Sequence, residues 1–220
     1  MTRRWFLVAL VLWLAVLITE APALAAKDYR AERFDVRLTL QADGSMEVTE
    51  TIRFVFGADS FTHVFREIPT RRTDGIQVVA ISMEARPLSP GKDAGQYEVK
   101  RADNGRRRIV WHFDPTTAAA RTFEVTYLVK GIVEQAADAD IVRWRALPAD
   151  HEYVIGCAGV SLSYPPSATL LAPPVLDPSP TRVSAEGAAL AYERCPVDRD
   201  DSWVVSARFS PRSLAATTSA

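Results

Sequence analysis

Two runs of alternating residues separated by Ala42-Asp43-Gly44 restrict this chain more than any other feature of it. Phe34, Val36, Leu38 and Leu40 stand at even positions with Arg33, Asp35, Arg37 and Thr39 between them, and Met46, Val48, Ile52, Phe54 and Phe56 continue the even row beyond the turn. A period of two is that of a strand with one buried face. Parity then sets the turn. A two-residue loop would place every apolar side chain opposite a polar one, whereas a three-residue loop, Ala42 to Gly44, pairs Leu40 with Met46, Leu38 with Val48 and Phe34 with Ile52. It also puts glycine at the left-handed position that such a hairpin needs.

The same rule holds around Asp103-Asn104-Gly105, pairing Val99 with Ile109 and Tyr97 with Trp111. Ile76 to Met83 reads as a strand buried on both faces, and Phe123, Val125, Tyr127 and Val129 alternate again. Further strand-like runs are Ile141 to Leu147, Val160 to Tyr164, Ala189 to Tyr192 and Trp203 to Phe209, with a proline-rich stretch from Pro165 to Pro180. Fourteen prolines and no long 3.6-residue pattern argue against helices. The expected fold is all-β, an antiparallel β-sandwich of roughly eight to ten strands.

The N-terminus reads as an export signal. Arg3 and Arg4 precede an apolar run from Trp5 to Ile18, and Ala23-Leu24-Ala25 offers small residues for cleavage after Ala25. The run is shorter than the roughly 20 apolar residues of a stable span. The expected organisation is a signal peptide at 1–25, one extracytoplasmic domain at 26–210 and a disordered tail at 211–220, with no transmembrane helix apart from the signal segment. Export leads to a periplasmic or extracellular location. There Cys157 and Cys195 are expected to form a disulfide, since no Cys-x-x-Cys or activating neighbour suggests a reactive thiol.

Without residues 1–25, 24 basic side chains face 26 acidic ones. Such a balance predicts no nucleic-acid binding, which needs clustered excess positive charge. The one dense run, Arg106-Arg107-Arg108, follows a hairpin tip and reads as a solvated turn, with contact to anionic lipid headgroups as a weaker reading. His63, His112 and His151 share no metal-ligand spacing, and no Gly-x-Ser-x-Gly elbow, phosphate loop or dinucleotide turn is present. Neither a metal nor a cofactor is expected, nor a catalytic residue. His151-Glu152 beside Asp150 reads as a solvated loop, because neighbours on a strand point to opposite faces.

One residue breaks its own row. Glu50 occupies the even, apolar row of the second strand, opposite Val36, and so points at the core. A carboxylate there requires a partner. Arg66, in the largely apolar stretch His63-Val64-Phe65-Arg66-Glu67-Ile68-Pro69, can supply a planar, two-pronged one. Phe65 and Ile68 would anchor that stretch and Pro69 would end its strand. Arg71 and Arg72, just beyond, are then the side chains most free to contact something else.

The run "DVRLTLQADGSMEVTETIRFVF", followed by "HVFREIP" and "RTFEVTYLVKG", resembles the N-terminal domain of a family of predicted bacterial membrane proteins, domain of unknown function 2207. Its marks here are Asp43-Gly44, Val48-Thr49-Glu50, Arg66-Glu67-Ile68-Pro69 and Tyr127. The resemblance implies an exported β domain after a signal peptide, followed by transmembrane helices and a low-complexity tail. This chain departs from the pattern, since eleven residues without a hydrophobic span follow Phe209. The resemblance carries no catalytic residue. The expected role is a binding or interaction module of the cell envelope, its partner an envelope protein or membrane component. The alternative is a hydrolase of envelope polysaccharide or peptide acting through a carboxylate pair, and a third reading is a structural subunit of a membrane assembly.

Overall fold

The computed structural model describes residues 28–215 except 104, 150, 187 and 188. The expected signal peptide at 1–25 and the last part of the expected tail, 216–220, lie outside the described residues. The first hairpin is β1 (Tyr29–Leu40) and β2 (Met46–Phe56), followed by β3 (Phe61–Ile68) and β4 (Gly75–Met83). The short β5 (Arg86–Pro87) and β6 (Ser89–Pro90) lead into β7 (Gln96–Arg101), β8 (Arg107–Thr116) and β9 (Ala120–Lys130). The second half holds β10 (Val133–Gln135), β11 (Asp140–Leu147), β12 (Ile155–Ser163) and β13 (Val175–Asp177). It closes with β14 (Arg182–Glu186), β15 (Ala189–Arg194) and β16 (Trp203–Phe209).

The all-β architecture is the expected one. The described residues form sixteen strands rather than eight to ten, in part because β5, β6, β10 and β13 are two or three residues long, too short for an alternation to show in sequence. Eight strands form one large sheet in the order β14-β15-β12-β1-β2-β9-β4-β5. Two four-stranded sheets, β3-β8-β7-β6 and β10-β11-β16-β13, complete the fold. Pairing is antiparallel except for β1 with β12 and β6 with β7.

The two hairpin registers follow the parity argument. Leu40 pairs with Met46 and Phe34 with Ile52, Gly44 takes φ 78°, and Tyr97 pairs with Trp111. The even row of β1 and β2 and the odd row of β9 therefore share one face, and both small sheets pack on it. Phe113 meets Phe123 at 5.5 Å between centroids, Phe56 meets Phe61 at 4.6 Å, and Tyr127 meets Trp144 at 6.3 Å. Trp111 donates its indole N–H to the Ser82 carbonyl at 3.1 Å, so its bulk is buried without an orphaned donor. Phe34, Phe56 and Phe123 are fully buried in this core, each contributing roughly 1.5–3 kcal/mol by leaving water.

Four expectations need correction. β4 is not buried on both faces: it lies next to the edge strand β5 and leaves Val79 57% exposed beside an irregularity in its pairing with β9. Phe65 does not anchor its segment. Val64, Arg66 and Ile68 are the inward row of β3, so Phe65 points out and carries the Arg108 guanidinium over its ring at 4.8 Å. His151 is buried rather than solvated, its ring nitrogens within 2.8 Å of the Tyr153 and Asp201 carbonyls. The segment from 211 is docked as far as Ala215. Asp140 accepts from the Arg212 and Leu214 amides, and Leu214 is buried.

Candidate functional site

The large sheet has two faces with opposite chemistry. On the covered face, Arg66 on β3 reaches Glu50 on β2, its Nε donating to Oε2 at 2.6 Å and its Nη2 to Oε1 at 3.0 Å. The structure thus brings the two residues together in a two-pronged pair. Tyr127 on β9 donates its hydroxyl to the same carboxylate at 2.7 Å, and Arg66 also donates to the Glu67 carbonyl. Glu50 is 1% and Arg66 6% exposed. Burial alone would push the Arg66 guanidinium down, but the charge and hydrogen bonds of Glu50 outweigh it and hold it above its ordinary range. Burial, reinforced by the Glu50 charge, raises the Tyr127 phenol well above its ordinary value. No ligand can reach this cluster, and its role is to join β2, β3 and β9 across two sheets.

Tyr127 is the third member of the cluster, beyond the Glu50–Arg66 pair that the sequence predicts. Its signal was present: a hydroxyl in the inward row Phe123, Val125, Tyr127, Val129 needs a buried acceptor, and Glu50 was the acceptor available.

The other face is open and polar, and strand register arranges it in rows. One row runs Arg182, Glu193, Gly159, Asp35, Thr51, Glu124 across six strands, and the next runs Ser184, Ala191, Ser161, Arg37, Thr49, Thr126. Glycine and alanine at the β12 and β15 positions leave a shallow depression of about 380 Å³ over β12, β1 and β2. A Cβ at Gly159 would stand 2.3 Å from Asp35 Oδ1 and 2.9 Å from Arg33 Nη2, so the missing side chain is what lets these groups lie over β12.

Charge within the depression is mostly fixed. Arg33 donates through Nε to both Asp35 oxygens at 2.9 Å and through Nη1 to Glu193 at 2.9 Å. The hydrogen bond to Asp35, more than burial opposes it, raises the Arg33 guanidinium above its usual range, and the bond from Arg33 lowers Glu193. Thr49 and Thr126 share a hydrogen bond of 3.1 Å, and Thr51 donates to Glu124 at 3.0 Å. Arg37 is exposed between Ser161 and Thr49 and makes no ion pair among the described residues. Arg33, Asp35 and Arg37 are the polar odd row of the first strand, which alternation alone marks only as the solvent side.

Of the remaining sequence candidates, Arg71 and Arg72 are exposed in the turn after β3, where Arg72 adopts φ 62°. Cys157 on β12 and Cys195 just past β15 are joined in a disulfide. Their sulfurs lie near Glu193, but as a disulfide they offer no thiolate to a metal. Arg106 and Arg108 are not simply solvated, since both pair with Glu67 on β3. Among the described residues no helix is long and apolar enough to cross a membrane.

The family model described as "Predicted membrane protein (DUF2207) N-terminal domain" matches residues 30–210. No curated protein matches the sequence. Among solved structures, leukotriene A4 hydrolase from yeast superposes with a TM-score of 0.57 at 9% identity, over 81% of this chain and 28% of its own. A candidate protease from Parabacteroides distasonis gives 0.51 at 12% identity, over 83% of this chain and 41% of its own. At these identities the likeness is one of fold. The chain spans less than half the length of either protein.

Proposed function

Because the chain belongs to the family of predicted membrane proteins whose N-terminal domain it matches over residues 30–210, we propose that it is an exported interaction module of the bacterial cell envelope. Its recognition surface is the open polar face of the large sheet. The observation that carries this reading is the depression over β12, β1 and β2, where Arg37, without an ion pair among the described residues, lies between Ser161 and Thr49 beside a charge network held in place by Arg33. An exposed sheet face with a pre-arranged array of donors suits a polar, acid-bearing partner.

The chemistry favours binding over hydrolysis. The two carboxylates in the depression, Asp35 and Glu193, are bridged by one guanidinium. A general acid needs a raised carboxyl, and Glu193 is lowered by its bond to Arg33. No histidine lines the depression to activate Ser161 or Thr49.

A photo-crosslinking amino acid at Thr49, in the exported full chain, should capture a discrete partner in cells. The same probe at exposed Val99 should not, and Arg37→Glu should abolish the Thr49 product. Equal capture from both sites, or capture indifferent to Arg37→Glu, would refute the assignment.

A further inference from the structure

The molecule is electrically polarised along β1. At the end where β1 turns into β2, the β3–β4 and β7–β8 corners meet, joined by a hydrogen bond of 3.1 Å from Thr70 Oγ1 to the Gly105 carbonyl. These corners carry Arg71, Arg72, Arg101, Arg106 and Arg107 against Asp74 and Asp103. Arg71, Arg72 and Arg101 are exposed and make no ion pair among the described residues. Strand pairing places the β1–β2 turn at the same end, since Met46 pairs with Val129 and the Asp74 amide donates to the Lys130 carbonyl at 2.8 Å.

The opposite end, about 40 Å away at the usual rise of a twelve-residue strand, is acidic. Asp28, Asp59, Glu152, Asp198, Asp200 and Asp201 gather there with Arg30, Arg194 and Arg199, Arg194 being paired with Asp201 at 2.8 Å, so the balance is negative. Backbone contacts tie them into one end: the Asp28 amide donates to Asp59 at 3.3 Å and the Asp200 amide to the His151 carbonyl at 3.1 Å.

The path of the chain supplies an independent observation. After β16 it runs back to the basic end, where the Ala215 amide donates to the Ala42 carbonyl at 3.2 Å at the tip of the first hairpin. Ala215, the last described residue, thus lies at the basic end, in a family described as predicted membrane proteins.

We propose that the β3–β4 and β7–β8 corners form a membrane-facing surface that rests on anionic phospholipid headgroups, with the acidic end directed away from the bilayer. Arginine forks match phosphate oxygens, and a polybasic surface is drawn to anionic lipid over about a Debye length. Repulsion of the far end gives the attraction an orientation. This surface is at an end of the sheet and the polar depression is on its face, so either assignment can fail while the other stands.

The test is co-sedimentation of the mature exported chain with vesicles of phosphatidylcholine alone or with about a third phosphatidylglycerol, at low ionic strength. Binding is expected only to the anionic vesicles, declining with added salt. Arg71→Gln with Arg72→Gln should weaken it about 30-fold, from the affinity that two basic residues contribute at such a surface. Neither side chain makes an ion pair among the described residues, so the thermal midpoint should stay that of the wild type. Asp198→Asn with Asp200→Asn, at the far end, should leave binding no weaker. Absence of binding to anionic vesicles, equal binding to neutral ones, or binding indifferent to the arginine changes would overturn the proposal.

Discussion

Replacing Arg66 by alanine isolates the energetics of the cluster that joins the sheets. The substitution removes the bonds of 2.6 and 3.0 Å to Glu50 and leaves a carboxylate that is 1% exposed with the Tyr127 hydroxyl, at 2.7 Å, as its remaining partner. Stranding one member of a buried ion pair costs about 3–5 kcal/mol, mostly from the uncompensated charge. For a domain of this size that lowers the melting temperature by about 6–20 °C. Removing the charge as well should undo the damage: Glu50→Leu, Arg66→Met and Tyr127→Phe together replace the cluster by apolar volume and leave no orphaned hydroxyl. Urea unfolding followed by tryptophan fluorescence, with far-ultraviolet circular dichroism as a second probe, measures both. The reasoning fails if Arg66→Ala costs less than about 1 kcal/mol, or if the triple variant is as unstable as the single one. In the second case shape, not charge, holds the sheets together.

The disulfide closes a span of 38 residues, and loop-closure entropy assigns it about 4 kcal/mol; Cys157→Ser with Cys195→Ser should lower the urea midpoint accordingly, and an unchanged midpoint would refute that. Tyr127 has a folded-state pKa raised by burial and by Glu50, so its contribution is fully present below the ordinary tyrosine value of about 10 and fades as pH rises through the higher folded value. Absorbance at 295 nm should therefore show fewer than six phenolates until alkaline unfolding begins, and a smooth titration of all six before unfolding would contradict it. Gly44 has φ 78°, and a Cβ there would stand 1.7 Å from the Ala215 carbonyl oxygen. Gly44→Ala should thus cost at least about 1 kcal/mol and expose residues 212–215 to carboxypeptidase trimming, with unchanged trimming as the contrary result.

Local period was the legible part of this sequence. It set the partners of Leu40 and Tyr97, and it marked Glu50 as an inward carboxylate, because hairpin register depends only on neighbours in the chain. It could not name β12 as the other neighbour of β1, since a long-range parallel pairing leaves no trace in alternation. Composition misled where parity would have served. Hydrophobicity alone assigns Phe65 to the inside, although the polar Arg66 holds the inward position and Phe65 the outward one. The depression was invisible for a related reason: its floor exists only once Gly159 and Ala191, far apart in sequence from Arg37, are laid beside it.

The place of β1 in the sheet also dictates a timetable. Its partner on one side, β2, follows at once, but its partner on the other side begins at Ile155, opposite Ala31. A chain synthesised from its N-terminus therefore carries a row of unpaired amides and carbonyls along β1 until residue 163 has emerged. Strands β15 and β14 can add only after that. Such non-local closure is slow, and an open central edge invites pairing with other chains. A nascent chain halted anywhere between Lys130 and Ile155 is thus half a sheet with an adhesive flank, and the interval before β12 arrives is when this protein most needs a chaperone.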